Sequence, residues 1–442
     1  MRKVFWFIVS VITLLVLTYN FRLGVEAFQD THGYFGGDSG DYILVGASLA
    51  KTGKYGYLKS TPREIIADLN SGAFLEKKYE FGNHSTWRPP IWPAFLSIFF
   101  KFFPNALLMA HLVKFLLILG GAYLFYSTLI SLKFSSSVSR IFAVFYLIHP
   151  TLQLYSRTYL SESLTYLMMT ALLYFVVRTW QDSNKINVFM TGLTGGLLVL
   201  THPYYLALPF VLVGLIFLIQ RSKVINYFIA FPVLMFVIGF WVLRNHMIYP
   251  ENGLFITSST GAVMAKGWNA KVPELHNNVN GDLADEGLVL KPDDQMAGLN
   301  EVERSELYQK RTKEFIRENS ALIFPILMRK LKSAFNPIRE ISKPGFLQNL
   351  NEFYRILILL VFFYVLFRWK LDLLGIIALT IILSTIFITA LTYSGIRFRS
   401  GQVPLEILLI ALALKDLGVL NYIRTLKCSL ACSFRKKTSP QK

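Results

Sequence analysis

The sequence is poor in charge and lacks the motifs of nucleotide-using enzymes. Only 16% of its 442 residues are charged, well below the roughly 25% that is usual in soluble domains, whereas 53% are hydrophobic. It contains no P-loop, no Rossmann glycine fingerprint and no HExxH motif. The low charge and the high hydrophobic content exclude an ordinary soluble domain. The missing nucleotide-binding motifs argue against a nucleotide-linked sugar as the substrate.

Cysteine is also scarce, and acidic residues are outnumbered. The two cysteines, Cys428 and Cys432, lie in a basic C-terminal tail and are too few for a disulfide framework or a four-ligand zinc site. The net charge is +18, yet no basic and aromatic module typical of nucleic-acid binding is present. The basic residues gather in short loops and in the tail, as they do on the cytoplasmic side of membrane proteins. We therefore expect a membrane lipid environment and no nucleic-acid partner.

Apolar runs of about 16–22 residues recur along the chain, and a bilayer core about 30 Å thick needs about 20 such residues per helix. The sequence therefore predicts an all-α polytopic membrane protein with about ten transmembrane helices and both termini cytoplasmic. The first run resembles a signal peptide, but no convincing cleavage site follows, so we expect an uncleaved span. The predicted spans are 4–19, 105–132, 139–154, 164–177, 186–200, 204–219, 224–243, 353–367, 371–393 and 402–414.

These spans divide the chain into four parts. We predict an N-terminal transmembrane catalytic module, 1–244, with a large external loop at 20–104; an external segment, 245–352; C-terminal transmembrane helices, 353–420; and a basic cytoplasmic tail, 421–442. Residues 94–103 are too few to span and should lie at the external face. The external segment is nearly neutral, with 14 acidic and 13 basic residues.

Within the external segment, residues 251–300 have the composition of a loop. Helical spacing predicts a helix over 301–318. A second helix is expected to open at Pro325, with Ile326 on its apolar face and Lys330 on its polar face, so that it lies in the membrane interface.

The predicted topology places ionisable residues from distant parts of the chain on one external face. Ionisable groups at the ends of spans are candidates for function, so we predict that they form one site. They are Asp38, Arg88, Glu162, His202, Arg244, Arg397 and Arg399. Asp41 lies beside Asp38, and spacing alone does not choose between them as a catalytic base.

Each of these residues also has a structural interpretation. Asp38 and Glu162 can stabilise the N-termini of helices, and His202 can be a polar helix end before Pro203. The arginines can anchor the ends of spans at the membrane interface.

Six stretches carry a resemblance to a known family. They are DSGDYILVGASLAKTGKYG (38–56), WRPPIWPAFLSIFF (87–100), YSRTYLSESLTYLMMTALLYF (155–175), WVLRNHMIY (241–249) followed by TSSTG (257–261), RENSALIFPILMRKLKSAF (317–335) and RFRSGQVPLEILLIALAL (397–414). In this order the chain resembles the C-type glycosyltransferase superfamily. These multi-span enzymes use polyprenyl-phosphate sugars and include protein O-mannosyltransferases and lipid A aminoarabinose transferases. The resemblance extends to bacterial mannosyltransferase-like membrane proteins of the cell envelope.

The resemblance implies that Asp38 is the catalytic base, that Arg88 approaches the lipid phosphate and that Glu162 lies near the site. The chain departs from the family at Ser39, where a second acid is common, and at His202, where Arg or Lys is common. Metal use varies across the superfamily, so no metal ligand is carried over, although a divalent metal is possible.

We therefore expect an inverting glycosyltransferase on the extracytoplasmic face of the inner membrane. Its donor would be a polyprenyl-phosphate sugar and its acceptor a lipid-linked glycan, a lipopolysaccharide or a protein. One carboxylate suffices as base, because the leaving phosphate needs no protonating acid. Arginine suits the phosphate because its planar fork matches phosphate oxygens. The alternatives are a flippase for a lipid-linked glycan and a polysaccharide polymerase or ligase.

Overall fold

The computed structural model describes residues 2–29, 38–182, 184–219, 229–277, 282–290, 294–336 and 346–419. The predicted tail, 421–442, with both cysteines, lies outside the described residues. The described chain is mainly helical, and its one small sheet pairs β1 (Gly56–Leu58) with β2 (Phe81–His84) in antiparallel fashion.

The described helices fall into an N-terminal and a C-terminal part of the chain. The N-terminal part contains α1 (Arg2–Gln29), α2 (Asp38–Thr52), α3 (Pro62–Ser71), α4 (Ile91–Phe102), α5 (Ala106–Ser131), α6 (Ser136–Ile148), α7 (Pro150–Ser156), α8 (Glu162–Gln181), α9 (Lys185–Thr201), α10 (Ala207–Ile219) and α11 (Ala230–Ile248). The C-terminal part contains α12 (Thr260–Gly267), α13 (Gly287–Leu290), α14 (Glu301–Glu318), α15 (Ser320–Phe335), α16 (Phe346–Arg368), α17 (Leu373–Leu391), α18 (Ile396–Ser400) and α19 (Val403–Asp416).

Nine of the ten predicted spans each coincide with one helix and the third with two, although the seventh is described only from residue 229. In the described part of the chain, five helices are long and apolar enough to cross a membrane: α1, α5, α11, α16 and α17. The other five, α6, α8, α9, α10 and α19, have 13 to 20 residues. The chain is thus an all-α, multi-pass membrane protein.

Helix α19 lies at the centre of the largest core. Leu405, Ile407, Leu408 and Leu409 are fully buried there, although they point in different directions around the helix. A helix that is apolar on every side must be surrounded by other helices. Helices α6, α8, α16 and α17 all pack against α19.

The structure corrects several predicted boundaries. Helix α1 continues to Gln29, beyond the predicted end at residue 19. The third predicted span breaks after Ile148, because Pro150 cannot continue α6 and instead begins α7. The loop predicted at 251–300 contains the eight-residue helix α12.

The two helices predicted within residues 301–352 match their predicted bounds only in part. Helix α14 has the predicted bounds, 301–318. Helix α15 begins at Ser320 rather than at Pro325, which lies inside it. Lys330 was expected on the polar face but is fully buried. Its ammonium group lies 3.8 Å from the centre of the Trp268 ring and donates to the Thr392 carbonyl at 2.7 Å, so the buried charge has partners.

Glycines allow α9 to lie close to α11. A Cβ atom on Gly192 would lie 2.3 Å from the carbonyl oxygen of Ala230, and one on Gly196 would lie 2.7 Å from the Cβ of Val237. Both separations are shorter than real Cβ atoms tolerate, so these positions accept no side chain without displacing α11. Such small-residue contacts are typical of packed membrane helices.

We predict that Gly192→Ala destabilises the protein by about 1–3 kcal/mol, the usual cost of overpacking. The matched control is Gly239→Ala in α11, where a Cβ meets no atom within 4 Å and alanine favours the helix. The melting temperature of both variants in detergent checks this. Equal melting temperatures for the two variants would contradict the predicted contact.

Candidate active site

The first helix after the N-terminal span carries two carboxylates on its first turn. Asp38 and Asp41 are the first and fourth residues of α2, so their side chains share one face of the helix. Arg88, in the segment that leads into α4, donates from Nη2 to the Asp41 carboxylate at 2.7 Å and from Nε to the same oxygen at 3.1 Å. The same Nη2 also donates to Asp38. One guanidinium therefore joins both carboxylates of the first turn.

A second arginine approaches Asp38 from the opposite end of the chain. Arg397, in the short helix α18, donates from Nη1 to the second oxygen of Asp38 and from Nε to Glu162, the first residue of α8. His202, which follows α9, has its Nε2 4.0 Å from the Glu162 carboxylate. The side chains form a continuous chain of opposite charges from Asp41 to Glu162, here called the ion-pair chain: Asp41, Arg88, Asp38, Arg397 and Glu162.

The carboxylates of the ion-pair chain differ in accessibility. The side chain of Asp38 is 37% exposed, whereas that of Glu162 is 1% exposed. Glu162 is therefore enclosed behind Arg397, and Asp38 is the carboxylate that a substrate can reach. Asp41 is 31% exposed but lies on the far side of Arg88.

The surroundings shift the ionisation of these groups in different directions. Enclosure by the protein raises the pKa of Asp38, but Arg88 and Arg397 together outweigh it and hold the pKa well below the usual range. Burial raises the pKa of Asp41, which has only Arg88 as a partner, above its ordinary value. Burial lowers the pKa of His202 to about 3, and Arg397 adds to this effect. At neutral pH, His202 is therefore a neutral side chain beside the ion-pair chain.

Three of the predicted site residues lie outside the ion-pair chain: His202 lies beside it, and Arg399 and Arg244 bond elsewhere. Arg399 pairs with Glu406 at 2.7 Å, and Arg244 donates to the backbone carbonyls of Ser85 and Tyr55, both at 2.9 Å. Arg399 turns away because α18 points side chains two positions apart in nearly opposite directions. Arg244 braces the segment before Arg88 and does not itself reach the carboxylates.

The ion-pair chain borders a cavity of about 1020 Å³. Asp38, Arg88, His202 and Arg397 line one part of it. The apolar part lies between α10, α11 and α17, which are predicted spans, and is lined by Phe210, Val211, Met235, Ile238, Val242, Phe387, Ile388 and Leu391. The cavity thus joins a charged end to an apolar trough among membrane helices.

Aromatic rings that sequence reasoning did not single out lie beside Arg397. The ring of Phe398 is 4.2 Å from that of Tyr204 and 4.7 Å from that of Tyr393, centre to centre. All three line the cavity. The signal available in the sequence was their position next to His202 and Arg397, at the external ends of predicted spans. Flat ring faces of this kind suit the C–H faces of a sugar.

A metal does not fit the residues of this site. The carboxylates of Asp38 and Glu162 already accept from guanidinium groups. Over the described ranges, no three His, Cys, Asp or Glu side chains group in a way that would hold a metal ion. No step proposed below is routed through a metal.

Comparisons with known proteins yield a weak structural likeness. No protein-family model and no curated protein matches the sequence. The chain is similar to the crystal structure of ArnT from Cupriavidus metallidurans in the apo state, with 12% identity, a TM-score of 0.38 and coverage of 93% of this chain and 78% of that one. It is also similar to the structure of that ArnT bound to undecaprenyl phosphate, with 12% identity, a TM-score of 0.41 and coverage of 92% and 78%. At these values the likeness decides neither family nor activity.

We predict that the stability contributed by the Asp38 ion pairs decreases as the pH is lowered. Because the folded protein lowers the pKa of Asp38, the ion pairs contribute fully above the unfolded value of about 3.9 and are lost as the pH falls below about 4. The difference in melting temperature between wild type and Asp38→Asn should stay constant from about pH 8 to 5 and shrink toward pH 3.

The control for that series is Asp294→Asn, at an exposed position in a short 3₁₀ helix. It separates the effect of Asp38 from the general effect of removing one carboxylate. A difference for Asp38→Asn that persists unchanged to pH 3 would contradict the two-arginine environment.

Proposed function

We propose that this protein is an inverting glycosyltransferase that takes a sugar from a polyprenyl-phosphate donor. The observation that carries the proposal is the position of Asp38. This partly exposed carboxylate lies between two arginines at the charged end of a cavity whose other end is an apolar trough among membrane helices.

The shape of the cavity favours a substrate with a charged head and a long apolar tail. The trough between α10, α11 and α17 lies in predicted spans, so an acyl or prenyl chain can enter it from the bilayer. The charged end lies where α8 and α18 begin, at the ends of the spans. A lipid phosphate fits this arrangement, and its head would meet Arg88 and Arg397.

The far ends of the neighbouring spans α16 and α19 support an orientation in the membrane. Lys415 of α19 donates to the carbonyl of Leu132 at 2.7 Å, and Arg368 at the end of α16 pairs with Asp416 at 2.7 Å. Basic residues therefore collect at the ends of the spans away from the ion-pair chain. The bias of basic residues toward the cytoplasm supports a cytoplasmic location for these ends and an extracytoplasmic location for the ion-pair chain.

The reaction needs one base. In the proposed step, Asp38 takes the proton of an acceptor hydroxyl as its oxygen forms a bond to the anomeric carbon. The bond from that carbon to the phosphate oxygen breaks, and its electron pair stays on the departing polyprenyl phosphate. Attack from the face opposite the phosphate inverts the anomeric centre. Arg88 and Arg397 stabilise the charge that develops on the phosphate.

The two arginines also couple donor binding to the basicity of Asp38. In the structure both of them pair with Asp38 and depress its pKa, which makes Asp38 a weak base. A phosphate that accepts hydrogen bonds from the same guanidinium groups competes with Asp38 for them. Donor binding therefore raises the proton affinity of Asp38 at the moment when a base is required.

The other predicted site residues have supporting roles in this proposal. Glu162 holds Arg397 from behind, Asp41 holds Arg88, and neutral His202 contributes a polar wall beside Arg397. Arg244 and Arg399 act at a distance, through the backbone of Ser85 and through Glu406.

We predict that Asp38→Asn lowers sugar transfer by at least about a hundredfold, the usual contribution of a general base. Purified protein would be supplied with a panel of polyprenyl-phosphate sugars and an envelope glycolipid fraction, and release of polyprenyl phosphate would be measured. Asp41→Asn is the matched control, because it removes a carboxylate from the same turn and should cost less. Transfer by folded Asp38→Asn at nearly the wild-type rate would refute the assignment.

The acceptor is proposed to be a lipid-linked glycan, lipid A or its core sugars, or a protein. Mass spectrometry of envelope glycans and glycolipids from a deletion strain should show one sugar missing from one class of molecule. Complementation with wild type should restore that sugar, and complementation with Asp38→Asn should not. Unchanged glycans in every class would contradict a role in sugar transfer.

A further inference from the structure

A hydroxyl-rich segment lines the cavity and has no role in the steps described above. Residues 257–260, Thr-Ser-Ser-Thr, lead into helix α12 and all line the cavity. The backbone N–H of Ser258 donates to the carbonyl of Thr86 at 2.9 Å. Because Thr86 lies two residues before Arg88, this segment is adjacent to the charged end of the cavity.

Both residues of this backbone contact carry buried hydroxyls, and Ser258 is the one that lines the cavity. Ser258 is 2% exposed and Thr86 is fully buried. Neither Oγ of Ser258 nor Oγ1 of Thr86 has a hydrogen-bond partner among the residues that the structure describes. Buried hydroxyls are normally paired, so an unpaired one in a cavity wall indicates a partner supplied by a ligand.

The first N–H groups of α12 lack a side-chain cap. The Ser259 hydroxyl, at the N-cap position, donates instead to the Thr257 hydroxyl at 3.3 Å. The Thr260 hydroxyl bonds to the carbonyl of Thr257 at 3.0 Å, and the N–H of Gly261 donates to the Ser305 hydroxyl at 3.2 Å. The first N–H groups of a helix need acceptors from outside the helix, and here the N-cap side chain supplies none.

The chemistry of this wall selects an oxyanion. Hydroxyl and backbone N–H groups donate, and the N-terminal end of a helix carries partial positive charge. The neighbouring arginines are already engaged by carboxylates: Asp38, Asp41 and Glu162 contribute three negative charges against the two positive charges of Arg88 and Arg397. A phosphate that competes with these carboxylates for the guanidinium groups is therefore held more firmly if it also meets donors that no carboxylate has taken.

We propose that residues 257–260 and the N-terminus of α12 form an oxyanion subsite that holds the phosphate of a substrate beside Arg88. This inference rests on the proposed function, since it assumes that a phosphate-bearing substrate enters the cavity. The phosphate belongs either to the polyprenyl donor or to a phosphorylated glycolipid acceptor, and the two sources share the same chemistry.

Two substitutions in the full-length protein test the subsite. Ser258→Ala removes the unpaired hydroxyl. Ser259→Asp places a carboxylate at the N-cap, where it takes up the helix N–H groups and repels phosphate. Because aspartate is a favoured N-cap residue, Ser259→Asp should leave the melting temperature unchanged or raise it. A purely structural role for this segment would not combine retained stability with lost binding.

Binding would be measured in lipid nanodiscs with three probes: a long-chain polyprenyl phosphate, the polyprenol without phosphate, and a phosphorylated glycolipid. We expect both variants to bind one phosphate-bearing probe at least about tenfold more weakly, as for a lost hydrogen bond to a charged group. Thr380→Val in α17 is the matched control, because Thr380 is also fully buried with an unpaired hydroxyl within the described chain but does not line the cavity.

Each outcome decides the proposal. Weakened binding of polyprenyl phosphate assigns the subsite to the donor, and weakened binding of the glycolipid alone assigns it to the acceptor. Unchanged binding of both probes in both variants overturns the subsite and leaves the proposed function intact. If wild type binds polyprenol as tightly as polyprenyl phosphate and ignores the glycolipid, the proposed function fails and the subsite fails with it.

Discussion

The ion-pair chain constrains the rest of the structure. Its members come from the beginning of α2, the segment before α4, the beginning of α8 and the short helix α18, which lie up to 359 positions apart in sequence. Charges enclosed by protein are costly unless each has a partner. The four segments must therefore meet at one point, and the helices that carry them can pack only in arrangements that keep Asp38 between Arg88 and Arg397.

Contacts from α14 and α15 hold two segments of the ion-pair chain in place. Glu301, the first residue of α14, accepts from the Ser85 hydroxyl at 2.9 Å and from the N–H of Thr86 at 2.9 Å, close to Arg88. Buried Lys330 on α15 donates to the Thr392 carbonyl, shortly before Arg397. Helices α14 and α15 therefore each secure a segment that carries one of the two arginines.

In the proposed reaction, the same arrangement would let a carboxylate with a depressed pKa serve as the base. Asp38 is held ionised by both arginines, and a phosphate at the same guanidinium groups would release it. The apolar trough and the hydroxyl-rich start of α12 border one cavity with Asp38. In the proposed function, the lipid tail, the phosphate and the acceptor hydroxyl would therefore have distinct surroundings within a single continuous space.

Span length and loop charge are local properties of the chain, so the sequence alone predicted the long helices and the meeting of ionisable residues from the ends of spans. It also predicted α14 to its bounds. It could not separate Arg397 from Arg399, which lie two positions apart. Only the tertiary structure directs one to Asp38 and the other to Glu406. The burial of Lys330 and of the Ser258 hydroxyl likewise depends on neighbours that are distant in sequence. Local spacing carries no information about which segments meet.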